Sequence, residues 1–211
     1  MKKCVVLFSG GVESTCVLYL KLLEGQVVYP VYVKCGMPWE RLEYVKATEL
    51  WQETKGRFSR LMPIKVLPLK TYHKKHKAIK TEEELFIPLR NLTLLTAVAG
   101  YALSKRAEGV SIGSLGLYPF PDNNLAYLKE VERLITEGSK QRLKIEVPLF
   151  GMEKGEVVKR FSKWVPLHRT FSCVNPILQN GKVLHCGRCI KCKEREEAFK
   201  EAQIPLRRTQ S

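Results

Sequence analysis

The sequence predicts an α/β fold in which a mainly parallel sheet carries helices on both faces, with a Cys-rich appendage near the C-terminal end. Three observations lead there. Continuous apolar runs such as Cys4–Phe8 suit strands buried on both faces. Stretches with apolar residues every three to four positions lie between those runs, and strand–helix alternation favours parallel pairing. Four of the seven cysteines (Cys173, Cys186, Cys189 and Cys192) fall in the last fifth of the chain.

The elements follow in order. Cys4–Phe8 is the first strand, and Ser9-Gly10-Gly11 ends it. Val12, Cys16, Leu20 and Leu23 then mark a helix. Gln26–Lys34 is a β-rich run interrupted by Pro30, Trp39–Thr54 is helical, and Leu61–Leu69 is a third strand. Leu92–Arg106 reads as a mostly buried helix and Gly109–Leu115 as a fourth strand. Leu125–Thr136 is helical, Lys144–Leu149 strand-like and Glu153–Trp164 helical. A composition shift around Pro166–Pro176 divides an α/β domain, residues 1–165, from a Cys-rich segment, 166–211, packed on it.

The 211 residues are enough for a real core without staples, and 45% apolar content excludes disorder as a description of the whole chain. The longest apolar-leaning run, Leu92–Leu103, is twelve residues against the roughly twenty of a membrane span. The apolar stretch after Met1-Lys2-Lys3 is too short for a signal peptide, so the expectation is a cytoplasmic protein with reduced thiols and no membrane contact. The chain has 36 Lys+Arg against 21 Asp+Glu, a net +15, and its only Asp is Asp122. Such charge favours anionic partners. Between Thr54 and Thr81 stand nine Lys/Arg, two His and no acid. That stretch reads as a solvated basic loop, a lid over phosphates, or an RNA-contacting patch with little aromatic support.

Ser9-Gly10-Gly11-Val12-Glu13-Ser14-Thr15 joins the first strand to a helix. Two glycines permit a tight turn and close backbone approach, and the helix start offers unpaired N–H groups to an anion. The loop lacks the Gly-Lys-Ser/Thr of a Walker motif. It resembles the SGGxDS loop of PP-loop ATP pyrophosphatases, with Glu13 where that class usually has Asp.

Cys173 is followed, after twelve intervening residues, by Cys186-Gly-Arg-Cys189-Ile-Lys-Cys192. Four thiolates at this spacing suit a structural Zn²⁺. Iron–sulfur is the rival, because C-x₂-C-x₂-C also occurs there, and His185 or His168 could replace one ligand.

The two features together resemble the 7-cyano-7-deazaguanine synthase (QueC) family. The resemblance is strong over Val5–Thr15, Ile87–Asn91 and Phe171–Phe199, and weaker over Lys144–Lys154. It implies a PP-loop, adenine nucleotide alpha hydrolase-like fold binding ATP with Mg²⁺. Ser9, Gly10, Gly11, Val12, Glu13, Ser14, Thr15, Arg90 and Asn91 would hold the nucleotide, and Ser14, Arg90 and Lys154 would act in catalysis. The implied partners are a small-molecule carboxylate and ammonia. The carboxylate is adenylated, ammonia displaces AMP to give an amide, and a second adenylation gives the nitrile, within queuosine and archaeosine precursor synthesis.

Arg90 and Asn91 also read as a helix N-terminal cap, and Lys154 as a solvated helix-start lysine. Tyr118 and Asp122 echo a Tyr-Pro-Asp-Cys substrate motif, with two residues inserted and the Cys missing. Asp122 reads equally as turn chemistry. Leu89 stands where that family's Pro-Gly-Arg-Asn step has Gly. The altered Gly113–Asn124 segment keeps open a related enzyme on another carboxylate, the charge and the Cys cluster a tRNA-thiolating enzyme, and Glu13 a non-catalytic nucleotide-binding module. A homodimer is compatible with the sequence.

Overall fold

The computed structural model describes residues 1–69 and 83–206. Five parallel strands form one sheet in the order β3-β2-β1-β4-β5: β1 (Lys3–Leu7), β2 (Val27–Lys34), β3 (Lys65–Pro68), β4 (Gly109–Ser111) and β5 (Lys144–Glu146). Successive β1 side chains part to opposite faces, as the pleat requires. Cys4, Val6 and Phe8 join one core with α1 (Val12–Leu23), α2 (Glu40–Arg57) and α5 (Lys154–Phe161). Val5 joins a second core with α3 (Arg90–Ser104) and α4 (Leu125–Ser139). Burial on both faces explains why β1 reads as an unbroken apolar run.

Pro30 does not break β2. Strand β3 pairs with β2 only from Val31 onward, and before it there is an isolated bridge between Val28 and Leu61. Val28 exchanges its N–H and C=O with the Arg60–Met62 side, and Pro30, two residues on, faces the same way. The N–H it lacks falls in the gap between bridge and strand, so no ladder bond is lost.

Several boundaries differ from expectation. The expected third strand, Leu61–Leu69, shortens to Lys65–Pro68, its start interrupted at Pro63. The fourth, Gly109–Leu115, stops at Ser111, because the chain at Gly113 presses against the start of α1. Lys144–Leu149 shortens to Lys144–Glu146, and Glu153–Trp164 to Lys154–Phe161. Helix α3 begins at Arg90 rather than Leu92, which puts Arg90 and Asn91 in its first turn. The Lys70–Lys77 run lies outside the described residues.

The Cys-rich segment folds as an antiparallel hairpin, β6 (Ile177–Gln179) and β7 (Lys182–Leu184), followed by α6 (Ile190–Glu201). Ala198, Phe199 and Ala202 enter the core shared by α1 and α5. Gly155 permits close approach of α5 and α6, since a Cβ there would lie 3.0 Å from the Glu201 Cβ.

In this strand order β1 and β4 are neighbours whose following helices cover opposite faces. A crevice therefore opens beyond their carboxyl ends, where open parallel sheets bind ligands. Helix α3 reaches that crevice through Leu89, which caps it in the left-handed region at φ 61°. A branched side chain costs about 1–2 kcal/mol there, and Leu89 is 61% exposed, so little packing offsets it. Leu89→Gly should raise stability by about 0.5–1 kcal/mol after its extra unfolded-state entropy. Thermal unfolding should show this as a Tm rise of about 2 °C.

Candidate active site

The crevice is a cavity of about 550 Å³, a size suited to a nucleotide or small substrate. Its floor is the loop between β1 and α1. Gly10 takes φ 79°, and Gly11 is the N-cap of α1 without a side-chain cap, which leaves the first-turn amides open to a ligand. Within the loop, Ser9 N–H donates to Ser14 Oγ at 3.3 Å, and Ser14 Oγ donates to the Gly11 carbonyl at 3.2 Å. The loop is clamped from two sides. Phe171 N–H donates to the Gly10 carbonyl at 2.8 Å. On the other side, a Cβ at Gly113 would lie 2.7 Å from Ser14 N and 2.8 Å from the Glu13 carbonyl carbon.

Not every residue of the loop faces the cavity. Val12 is fully buried in the core, leaving only its backbone for a ligand. Thr15 is also buried. Its N–H and hydroxyl both donate to the Gly11 carbonyl, at 3.0 and 2.6 Å, because it closes the first helical turn. The proton of its hydroxyl is thus spent within the helix turn.

Glu13 and Lys154 form an ion pair in the cavity lining. Lys154 Nζ lies 2.9 Å from Glu13 Oε1 and 3.4 Å from Glu194 Oε2, and only 14% of its side chain is exposed. It is therefore not a solvated lysine. Lys191 Nζ continues the chain to Glu194 at 3.2 Å and stands 4.3 Å from the Tyr118 ring centroid, while the Tyr118 hydroxyl donates to Glu194 Oε1. Burial alone would raise the Glu13 pKa, but the Lys154 ammonium overrides it and holds the carboxyl below its ordinary value. Burial would likewise lower Lys154, and Glu13 and Glu194 together raise it.

Arg90 and Asn91 line the opposite wall. Asp122 stands beside Asn91 and is not among the residues lining the cavity. It is only 5% exposed; its Oδ2 accepts the Asn91 N–H at 3.0 Å and its carbonyl accepts Asn91 Nδ2 at 3.1 Å. It braces the first turn of α3 rather than lining the cavity. Tyr118 does line it, stacked on Phe120 with centroids 5.2 Å apart and planes at 8°.

Cys173, Cys186, Cys189 and Cys192 converge, with all four Sγ atoms within 4.8 Å of one another. The Cys173–Cys189 and Cys186–Cys192 pairs are each 3.9 Å apart. A tetrahedral ion with bonds of about 2.3 Å has edges of about 3.8 Å, so the donor set fits one metal ion. Hydrogen bonds from Cys173 and Cys192 hold the Cys189 thiol well below its ordinary range, and the Cys189 hydrogen bond pushes Cys173 up. His185 is not in this group. Its Nε2 accepts the Ser172 N–H at 3.3 Å and its ring lies 4.4 Å from Phe171.

Some site residues gave no sequence signal. Glu194 and Lys191 could have been sought by their distance from the cysteines, but neither type nor spacing marks them as partners of Lys154. Glu43, on the cavity side of α2, looks in sequence like any surface glutamate. Arg195 was equally silent. Buried, it donates to Thr170 Oγ1 at 2.5 Å and to the Leu167 carbonyl at 2.8 Å, and burial pushes its pKa down to about 10.

A glycine loop under a helix N-terminus, at the switch point of a five-stranded parallel sheet, defines a nucleotide-binding α/β protein of the PP-loop class. A 4-thiouridine synthetase, solved in complex with RNA and bound ATP, has the same fold, with TM-score 0.52 and 16% identity over 96% of this chain and 50% of its own. The model of the queuosine biosynthesis protein QueC matches residues 3–203, and the chain belongs to that family. Relatives named 7-cyano-7-deazaguanine synthase are 29% identical in Acetivibrio thermocellus and 30% identical in a Sulfurihydrogenibium species. The first match covers 97% of this chain and 96% of the relative, and the second covers 93% and 94%.

The buried pair makes a measurable claim. Lys154→Met leaves Glu13 uncompensated and should cost about 3 kcal/mol, read by urea unfolding at pH 7. In the wild type the depressed Glu13 pKa means its contribution is complete above the unfolded carboxylate value of about 4.3. That contribution is lost as pH falls through the lower folded value. In Lys154→Met, burial instead raises the Glu13 pKa, so the defect should shrink between pH 7 and pH 5.

Proposed function

We propose that this protein is an ATP-dependent carbon–nitrogen ligase that converts 7-carboxy-7-deazaguanine and ammonia to 7-cyano-7-deazaguanine. The observation that carries the reading is the convergence in one cavity of the glycine loop, the Arg90–Asn91 turn and the Tyr118–Phe120 face, in a chain of the QueC family.

The ATP phosphates rest on the first-turn amides of α1 and on Ser9 and Ser14, where backbone donors and helix dipole favour an anion. Mg²⁺ accompanies the nucleotide. Glu13 Oε2, which no described lysine holds, is the side-chain ligand at hand for it. Arg90 offers a planar fork to a phosphate or carboxylate, and Asn91, held in place by Asp122, orients either group. The stacked Tyr118 and Phe120 rings offer a flat apolar surface to a deazapurine. The substrate carboxylate attacks the α-phosphorus and pyrophosphate leaves; ammonia then attacks the acyl carbon and AMP leaves. Activation of the amide oxygen by a second ATP, followed by loss of AMP and protons, gives the nitrile. Throughout, the residues named position the groups and stabilise charge more than they exchange protons.

We infer that the four cysteines hold zinc. One ion accounts for the sulfur separations, whereas a cluster spreads its cysteines over several irons. Zinc here supplies structure, fixing the segment whose Phe171 anchors Gly10. Metal analysis should find about one zinc per chain in a colourless protein, Cys189→Ser should lose it, and cluster absorption would overturn the assignment.

The decisive assay incubates the protein with ATP, Mg²⁺, ammonia and 7-carboxy-7-deazaguanine and follows AMP and the product mass. Turnover to the nitrile is the expected result. AMP release only with other carboxylates would reassign the substrate. Ser14→Ala should lower turnover at least about 100-fold with a Tm change of no more than a few degrees, because it removes one hydroxyl and keeps the loop backbone.

A further inference from the structure

Of the acids around the cavity, most are committed. Glu13 is paired with Lys154, and Glu194 is shared by Lys154, Lys191 and Tyr118. Glu153, Glu197 and Glu201 stand exposed at the rim. Glu40, one turn before Glu43 on α2, spends its carboxylate on the amides of Cys35 and Gly36.

Glu43 differs from all of these. It is half-buried on the cavity wall with Arg90, and no described lysine or arginine forms an ion pair with it. The buried Tyr32 hydroxyl donates to its Oε1 at 2.8 Å, which fixes the carboxyl's orientation. Among the described residues its Oε2 accepts no hydrogen bond. Burial and the Glu43 carboxylate push the Tyr32 pKa far up, so that phenol stays a donor.

We propose that Glu43 is the general base that removes protons from the incoming nitrogen in both halves of the reaction, an assignment that rests on the function proposed above. In the first half, ammonium at the site gives a proton to Glu43, and the freed nitrogen lone pair attacks the acyl carbon of the adenylate. The bond from that carbon to the phosphate oxygen breaks, AMP leaves with the electron pair, and the surplus N–H proton goes to solvent. In the second half, the amide oxygen attacks the α-phosphorus of a second ATP and pyrophosphate leaves. The O-adenylated amide loses one N–H proton to solvent and the second to Glu43 as its C–O bond breaks, forming the C≡N bond and AMP. The same nitrogen is deprotonated both times, so one base in one place serves both steps, returning its proton to solvent between them. Arg90 on the same wall supplies the cation that a departing phosphate needs.

The surroundings suit a base that must load and unload near neutrality. Burial raises the Glu43 pKa to about 7, Tyr32 (on β2) and Arg90 (on α3) restrain the rise, and Glu40 adds to it. Cys35, between β2 and α2, is the remaining titratable neighbour, and burial keeps it a neutral thiol. A base poised near the working pH is the efficient choice.

The test compares wild type with Glu43→Gln, which keeps an oxygen for Tyr32. Carboxylate-dependent ATP–pyrophosphate exchange without ammonia reads adenylation. Single-turnover amide formation with ammonium chloride from pH 6 to 9 reads the transfer, and hydroxylamine, already unprotonated at neutral pH, replaces ammonium in a parallel series. We expect Glu43→Gln to slow ammonia transfer about 100-fold and to slow adenylation and hydroxylamine capture far less. It should also lose the wild-type limb near pH 7 and accumulate amide over nitrile. Tyr32→Phe should keep that limb and move it to higher pH. Parallel loss of exchange and transfer, or equal loss with ammonia and hydroxylamine, would overturn the assignment and leave Glu43 a structural neighbour of Arg90. Absence of wild-type exchange with 7-carboxy-7-deazaguanine would instead overturn the functional reading, and the base assignment would fall with it.

Discussion

Lys154 is the residue on which the site turns. One ammonium, almost out of water, holds Glu13 at the start of α1 and Glu194 on α6. A buried cation is tolerated only when it is well paired, and here its partners come from opposite ends of the chain. The contact therefore locks the glycine loop to the Cys-rich segment. The Phe171–Gly10 backbone bond does the same a few residues away. Neither tie would persist without the other elements, since α5 must deliver Lys154 and α6 must lie close against it, an approach that Gly155 permits.

The Cys-rich segment is thus part of the framework of the cavity. Cys173 lies two residues beyond Phe171, and Glu194 two beyond Cys192, so the four-sulfur knot fixes both anchors of the loop at once. The +15 charge of the chain has a local counterpart here: Lys154, Lys191 and Arg195 compensate carboxylates and the electron-rich sulfur cluster. The opposite wall is braced in the same economical way, with Asp122 holding the turn that presents Arg90 and Asn91. The strained Leu89 immediately before that turn shows how tightly its path is prescribed.

Much of the fold was legible beforehand, because it rests on local signals. Apolar runs set the parallel strands, spacing set the helices, and the Ser9–Thr15 loop and the four cysteines announced themselves by pattern. Errors gathered where a distant contact decides. Gly113 ends β4 early because it abuts the Glu13–Ser14 peptide, and Pro30 is tolerated in β2 because the neighbouring strand starts late. Thr15 spends both its N–H and its hydroxyl proton on the Gly11 carbonyl, a use that its place in the loop pattern does not announce.

By itself, then, the sequence determined the α/β class and marked out the glycine loop and the four-cysteine pattern, since each is written in residues near one another or in a residue type with few uses. Only the tertiary structure decided which charges meet. Glu13, Lys154 and Glu194 are separated by most of the chain, and a lysine at a helix start reads alike whether solvated or buried. It also decided that Asp122 supports Asn91, and that Glu43, of the 20 glutamates, faces the cavity with an oxygen to spare. A carboxyl's chemistry is set by its burial and its neighbours, and those exist only once the sheet has brought β2, α2 and α3 together.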